Sequence, residues 1–385
     1  MDILVVHPNI MAKGGGESVC MHVLEALQRD HNLTVLTRGE PDFDELNQFF
    51  STNVGDISHS TFDGVASLGF KLINSRLGSL KNSLLNRYII KNDLYERYDL
   101  VFSTFNDLRL PVRSIQYIHH PNFSQTAFPD IGSKNPLVKP FYHIYNPICG
   151  RIATGKTNPA SDNVYLFNSN WTANQMVHEL DAESNVIYPP VHTEDFTLNS
   201  FKGREDGFVS IGRVTRDKRV LRNIEIIRGL RELGYDIHYH IIGSMENSSP
   251  LSYSSYSQKV KEAADKYEFI DIEGETSREE MVSMISKHKY GIHGKEYEHF
   301  GIAVAELVAG GTIPFVHRTG GQKEVVGNCD DVMYNTTDEA IKKMASVISS
   351  TEKQREVRNA LPDIEAEFSE DRFKRQIRET VRELE

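Results

Sequence analysis

The chain has 385 residues, of which 39% are hydrophobic and 25% charged, ordinary values for a globular protein and too many residues for one ordinary domain. Its net charge of -11 argues against nucleic acid as a main partner, because phosphate binding needs a basic face. Cys20, Cys149 and Cys329 lie far apart with no CxxC pair, so no disulfide framework or cysteine metal cluster is expected.

Taken in chain order, the sequence alternates strand and helix. Ile3, Leu4, Val5 and Val6 open a buried-type strand over 3–7, and Val19, Val23, Leu24 and Leu27 space a helix over 17–29. Further strands are expected over 33–37, 100–103, 115–118 and 164–167. The segment Tyr188-Pro189-Pro190-Val191 then fixes an extended connector. Beyond it the series restarts, with strands over 208–211, 237–242, 269–272, 290–293 and 313–316. Short continuous apolar strands between helices mean a parallel sheet covered on both faces. The expected fold class is α/β: two doubly wound, Rossmann-like domains facing across a cleft. Their spans are 1–187 and 188–368, with a last helix over 369–385 packing back on the first. Ligands in such sheets bind at the carboxyl ends of the strands.

Several residues that bear chemistry fall at those ends. The segment Glu298-His299-Phe300-Gly301-Ile302-Ala303-Val304-Ala305-Glu306 follows the strand over 290–293. The backbone of Phe300, Gly301 and Ile302 would start a helix, where unpaired N–H groups and the helix dipole attract phosphate. Glu298, in the loop before it, is placed to accept hydrogen bonds from sugar hydroxyls. Glu306, among small apolar neighbours, needs donors of the kind a ribose diol supplies. Arg213 and Lys218, after the strand over 208–211, suit a diphosphate. Gly14, Gly15 and Gly16 follow the first strand and permit close approach of a donor, although they do not form GxGxxG and no ribose-binding acid follows the second strand. His119 and His120 follow the strand over 115–118. A histidine there would orient the transferred sugar or stabilise charge at its anomeric carbon. No spacing asks for zinc and no DxD pair suggests a bridging magnesium, so no metal cofactor is expected.

Together, the Glu-x7-Glu segment, Gly212-Arg213 with Lys218 and the glycine loop resemble the retaining GT-B glycosyltransferases of family 4. The resemblance extends over Phe167-Asn168-Ser169-Asn170-Trp171-Thr172, the diproline segment, Gly320-Gly321 with Glu324-Val325-Val326, and Phe368-Ser369. His7-Pro8, Gly14-Gly15-Gly16-Glu17, Tyr117-Ile118-His119 and Glu298-His299-Phe300-Gly301 are most similar to the GDP-mannose-dependent α-1,2-mannosyltransferases of dolichol-linked oligosaccharide assembly. The resemblance implies that Glu298 contacts the donor sugar and Glu306 the ribose. It implies that Arg213 and Lys218 take the diphosphate and that His119 lies beside the transferred sugar. Glu298 and His119 are then the candidate catalytic residues; Gly15, Gly16, Arg213, Lys218, Phe300, Gly301, Ile302 and Glu306 are the donor-binding set. Two features depart from that branch: His120 stands where it carries a tyrosine, and the N-terminal membrane helix is missing. The expected activity is retaining transfer of a hexose, mannose by resemblance, from a nucleotide-sugar to a glycan or lipid-linked acceptor. A nucleotide-sugar epimerase and a non-catalytic nucleotide-sugar-binding protein are the alternatives.

Residues 70–92 hold Lys71, Arg76, Lys81, Arg87 and Lys91 and no acid, interleaved with leucines, isoleucines and Tyr88. They fit either a basic amphipathic helix on an anionic membrane or a helix packed on its own domain. A second stretch over 134–145 adds Lys139, Phe141, Tyr142 and Tyr145. With no signal peptide or run of about 18 apolar residues, a cytoplasmic protein is expected, with the inner face of the cell membrane as the site of any peripheral contact.

Overall fold

A computed structural model describes residues 1–73, 77–121, 139–176, 185–196, 200–245 and 250–385. The chain divides into two compact units, Met1–Pro190 with Glu370–Glu385, and Val191–Ser369.

Unit 1 is built on seven parallel strands: β1 (Asp2–Val6), β2 (Asn32–Thr37), β3 (Ser58–Thr61), β4 (Leu100–Ser103), β5 (Ser114–Ile118), β6 (Val164–Phe167) and β7 (Asn185–Val186). Their order is β3-β2-β1-β4-β5-β6-β7. The central strand shows why its sequence is an unbroken apolar run. Ile3 and Val5 enter one core, with Leu24, Phe102 and Tyr117, while Leu4 and Val6 enter another, with Leu36, Phe62 and Leu85. A parallel strand covered on both faces has no side to give to polar residues. The edge strand β3, Ser-His-Ser-Thr, is mostly exposed and carries no apolar pattern from which it could be anticipated.

Unit 2 repeats the plan with six strands: β8 (Glu205–Ile211), β9 (His238–Ile242), β10 (Ile270–Gly274), β11 (His288–His293), β12 (Ile313–His317) and β13 (Met333–Tyr334). Their order is β10-β9-β8-β11-β12-β13, all neighbours parallel. Counted from their own first strand, both sheets run 3-2-1-4-5-6, the first with a seventh strand added at the end, the doubly wound order whose direction reverses between the first and fourth strands. One face of the second sheet is aromatic, with Phe208, Tyr290 and Phe315 in mutual ring contact. On the other face Val209, Ile242, Ile285 and Leu307 cluster.

The last helix, Glu370–Arg382, belongs to unit 1 although it follows unit 2 in the chain. Phe373, Ile377 and Val381, spaced four apart, enter the core beside β1. Phe373 meets the Tyr117 ring edge-on at 6.0 Å, and Lys374 bonds Glu25 at 3.1 Å.

The basic segment is two elements, the helix Gly64–Leu72 and the helix Gly78–Lys91; Arg76 lies outside the described residues, as do residues 134–138 of the second stretch. Leu85, Ile89 and Ile90 of the second helix enter the core, so its apolar face packs on its own domain. Lys81 donates to the Phe70 carbonyl at 3.3 Å. Exposed apolar side chains stand elsewhere: Val65, Leu68 and Leu72 on Gly64–Leu72, and Ile144, Ile148 and Ile152 at four-residue spacing on Lys139–Thr154. Among the described residues no helix is long and apolar enough to cross a membrane.

The docking of the last helix gives a direct test. Phe373→Ala removes a ring that is 1% exposed and should cost unit 1 about 3–5 kcal/mol. Denaturant unfolding followed by a probe in unit 1 should report it; an unmoved midpoint would contradict the docking.

Candidate active site

In each unit, polar side chains converge where the strand order reverses, at the carboxyl ends of the first and fourth strands.

In unit 2 these strands are β8 and β11. Gly212 and Arg213 follow β8, and a short 3-10 turn, Arg216–Lys218, returns Lys218 towards β11. β11 ends in His293, and the chain reaches Glu298 five residues later. Glu298 is the hub. Its Oε2 accepts from Lys218 Nζ at 2.9 Å and lies 3.1 Å from His293 Nε2. Its Oε1 accepts from Lys295 Nζ at 3.1 Å and from the His299 backbone N–H at 3.2 Å. Burial pushes the carboxyl up, but the charges of Lys218 and Lys295 and the hydrogen bond to His293 hold it well below the usual carboxylate range. For His293, burial and the charge of Lys218 lower the imidazole against the opposing pull of Glu298.

The backbone under Glu298 is held as firmly as its carboxylate. Gly320 bridges it in parallel register, and Gly321 N–H donates to its carbonyl at 2.7 Å. Gly320 has φ +92°, and a Cβ there would lie 2.3 Å from the Glu298 carbonyl oxygen, so no other residue fits. Gly301, φ +109°, caps the helix Ile302–Ala309. That helix presents its first-turn N–H groups just beyond Glu298. The Phe300 ring is buried against Phe368, 5.4 Å between centroids. A ligand at this helix start would meet Phe300 through its backbone.

Glu306 lies one turn into the helix. Its carboxylate pairs with Arg278, which also donates to Asp195 Oδ2 at 2.9 Å and to the His192 carbonyl at 3.1 Å. Arg213 is exposed, apart from this network. Lys218 and Glu298 are thus brought together, while Glu306 stands with a different arginine. Arg278 and Lys295 were not anticipated: lone basic residues with no motif around them carry no signal until the fold places them beside a carboxylate.

In unit 1 the same position lies between β1 and β4. His7, wholly buried after β1, has Nδ1 2.9 Å from Thr104 Oγ1 and Nε2 3.4 Å from Glu17 Oε1. Glu17 also accepts from the Gly14 N–H at 2.8 Å, which ties the glycine loop to the start of the helix Gly15–Leu27. Burial raises the Glu17 carboxyl, but the bond to His7 brings it below its ordinary value. His119 joins this group. Its Nε2 can only donate to the Thr104 carbonyl, 3.2 Å away, and its backbone N–H is fixed by Asn106 Oδ1 at 2.9 Å. Burial, then the charge on His7, depress its imidazole to about 4. His119 is therefore neutral at pH 7 and carries its ring proton on Nε2. A Cβ on Gly16 would come within 3.7 Å of His119 and 3.9 Å of His7, so that glycine keeps the space over both rings open; Gly15 beside it is exposed. His120 shares Asn106 Oδ1 through its backbone N–H at 2.7 Å.

The low-lying Glu298 carboxyl makes a signed prediction. Its contribution to stability is complete above the unfolded value near 4.5 and is lost as pH falls through the lower folded value. Glu298→Gln leaves Lys218, Lys295 and His293 facing a neutral group and should destabilise unit 2 by about 1.5–3 kcal/mol at neutral pH. Denaturant midpoints of the two proteins should converge as pH drops below 4.5. A gap that widened on acidification would contradict the charge assignment.

Residues 192–362 match the family described as Glycosyl transferases group 1. Relatives include the "GDP-Man:Man(3)GlcNAc(2)-PP-Dol alpha-1,2-mannosyltransferase" of Mus musculus, 23% identical, with 95% of this chain and 84% of the mouse protein covered. The protein of the same name from Dictyostelium discoideum is 21% identical, covering 98% and 84%. Among solved structures, sucrose-phosphate synthase from Thermosynechococcus elongatus superimposes with a TM-score of 0.71 at 13% identity, over 100% of this chain and 99% of that one. Anabaena HepE in complex with UDP gives 0.69 at 15% identity, over the whole of both chains. The chain is a glycosyltransferase of the GT-B fold, and its residues 192–362 are a group 1 glycosyl transferase domain.

Proposed function

We propose that this glycosyltransferase moves mannose from GDP-mannose to a lipid-linked oligosaccharide with retention at the anomeric carbon. The observation that carries the reading is the ionised Glu298, held by Lys218, Lys295 and His293 at the reversal point of a doubly wound sheet, directly before a helix start. The mannosyltransferase name shared by the mouse and Dictyostelium relatives supports the choice of donor and acceptor.

In this reading unit 2 holds the donor. The diphosphate lies on the backbone N–H groups around Gly301 and Ile302, with Arg213 and Lys218 as its cations. Lys218 has three N–H donors, so it can keep Glu298 and still serve a phosphate oxygen. Glu298 accepts from hydroxyls of the donor sugar. Glu306, set by Arg278, accepts from the ribose hydroxyls. In unit 1, Gly15 and Gly16 leave room beside His119, whose neutral ring offers a polar edge to a sugar. The reaction breaks the bond between the anomeric carbon and the phosphate oxygen, and the nucleoside diphosphate leaves. The acceptor hydroxyl oxygen bonds to that carbon from the same face, and its proton passes to the departing phosphate. The cations and helix start stabilise the charge that develops on the leaving group. No metal ion and no further cofactor enters this scheme. The exposed isoleucines of Lys139–Thr154 and the basic segment over 70–92 give unit 1 a surface suited to peripheral contact with an anionic membrane that carries the acceptor, on the cytoplasmic side.

The test is transfer from GDP-mannose, UDP-glucose and ADP-glucose to a polyprenol-diphosphate-linked oligosaccharide in anionic vesicles. Products are read by mass and by anomeric NMR. An α-linked mannose product from GDP-mannose is expected, with the protein pelleting with the vesicles. Glu298→Ala should lower turnover roughly 10²–10³-fold, the scale of losing one preorganised electrostatic partner. Transfer from UDP-glucose alone would overturn the donor. Conversion of the donor without acceptor would favour an epimerase, and binding without turnover a non-catalytic protein.

A further inference from the structure

The sheet of unit 2 has a second polar cluster at the opposite end of its strands from Glu298. β11 runs from His288 to His293, roughly 16 Å of extended chain, and it is the first of these residues, not the last, that takes part. His238 and His240 lie two apart on β9, on one face of the sheet, and His288 opens β11. Between them runs β8, where Gly207 is paired with His238 and Glu205 with His288. Gly207 is what lets the histidines meet across the intervening strand: a Cβ there would lie 2.3 Å from His238 Nε2. Among the described residues, these three histidines offer ligand atoms that all lie within 4.8 Å of one another.

The hydrogen bonds orient the rings as metal ligands require. His288 Nδ1 is 2.6 Å from the Met284 carbonyl, which can only accept, so Nδ1 carries the proton and Nε2 presents its lone pair. His240 Nδ1 is 2.6 Å from Glu273 Oε1, so it too donates and leaves Nε2 as the basic atom. A ligating histidine typically gives its other ring N–H to a carbonyl or a carboxylate in this way. The His288 and His238 Nε2 atoms are 2.9 Å apart. Glu205 Oε2 lies 3.4 Å from His238 Nε2 and 3.7 Å from His288 Nε2. A tetrahedral ion with metal–donor bonds of about 2.0–2.1 Å holds its donors about 3.3 Å apart. The separations among His238, His288 and Glu205 bracket that edge, and His240 lies within 4.8 Å of the other two histidines.

We propose that His238, His240, His288 and Glu205 form a binding site for one divalent transition-metal ion of the zinc class, which fastens β8, β9 and β11 at their amino-terminal ends. Three imidazoles and one carboxylate suit zinc or cobalt rather than magnesium or calcium, which prefer an all-oxygen shell. All four positions are filled by the protein, the closed arrangement of a structural site, and the site is separate from the sugar-transfer residues. The proton that His238 Nε2 now gives to His288 Nε2 would move to His238 Nδ1 when the ion binds, leaving a neutral imidazole that ligates through Nε2.

The experiment uses the full chain without a histidine tag, stripped with chelator and dialysed. Co2+ is titrated while visible absorption is followed, and Zn2+ content is measured after reloading. Thermal unfolding is run with and without Zn2+. The expected result is one equivalent of ion, the intense absorption of tetrahedral Co2+, and a rise in Tm on adding Zn2+. All three should be lost in His240→Gln and in His288→Gln. His240 is partly exposed, so its variant should fold even if His288→Gln does not. Glu273→Gln, which removes only the outer partner, should weaken Co2+ binding roughly 10–100-fold. Substoichiometric metal, octahedral-type Co2+ absorption, or equal binding by wild type and both histidine variants would overturn the site.

Discussion

A carboxylate taken out of water must be repaid in charge, and Glu298 is the residue around which unit 2 arranges that compensation. Two lysines and a histidine surround it, from three different stretches of chain: the turn after β8, the end of β11 and the loop that follows. Its carbonyl is tied to Gly320 and Gly321 from beyond β12. Such a cluster is coherent only if β8 and β11 are neighbours, which the doubly wound order ensures. The same order sets His7, Thr104 and His119 together in unit 1. Each unit thus uses one topological reversal to gather polar groups from distant stretches of chain, with Lys218 and Glu298 80 positions apart and His7 and Thr104 97.

The two gatherings differ in character. In unit 2 the group is made of ion pairs, with Lys218 and Lys295 on Glu298 and Arg278 on Glu306 and Asp195, beside the start of the helix Ile302–Ala309. In unit 1 a neutral imidazole, His119, which burial and the neighbouring His7 keep uncharged, stands beside the Glu17–His7 pair at the glycine loop. A neutral ring edge suits an uncharged hydroxyl better than a phosphate.

Much of the architecture was legible because buried parallel strands admit only apolar residues. β1, β4 and β6 follow directly from Ile3-Leu4-Val5-Val6, Leu100-Val101-Phe102 and Val164-Tyr165-Leu166-Phe167. The edge strand β3 and the two-residue strands β7 and β13 were not, since an edge half in water needs no such run. Among site residues, Glu298, Glu306, Lys218 and the glycines stood out through their neighbours in sequence. Arg278, Lys295 and the partners of His7 did not, because their chemistry arises only when separate strands are brought together. The three histidines over β8 were hidden for the same reason: fifty positions separate His238 from His288, and the residue that permits their contact, Gly207, is silent in any motif. The basic segment was open in the sequence, which fits a membrane-surface helix or one packed on its own domain; Leu85, Ile89 and Ile90 give one face of Gly78–Lys91 to the core.

In the proposed function Lys218 serves both Glu298 and a donor phosphate. Isothermal titration with GDP, comparing wild type and Lys218→Ala, addresses it most directly. Loss of a charge-assisted contact, together with exposure of the Glu298 charge, predicts affinity weakened at least about 10–100-fold. Equal affinity in the two proteins would contradict the placement of the diphosphate at this end of the sheet.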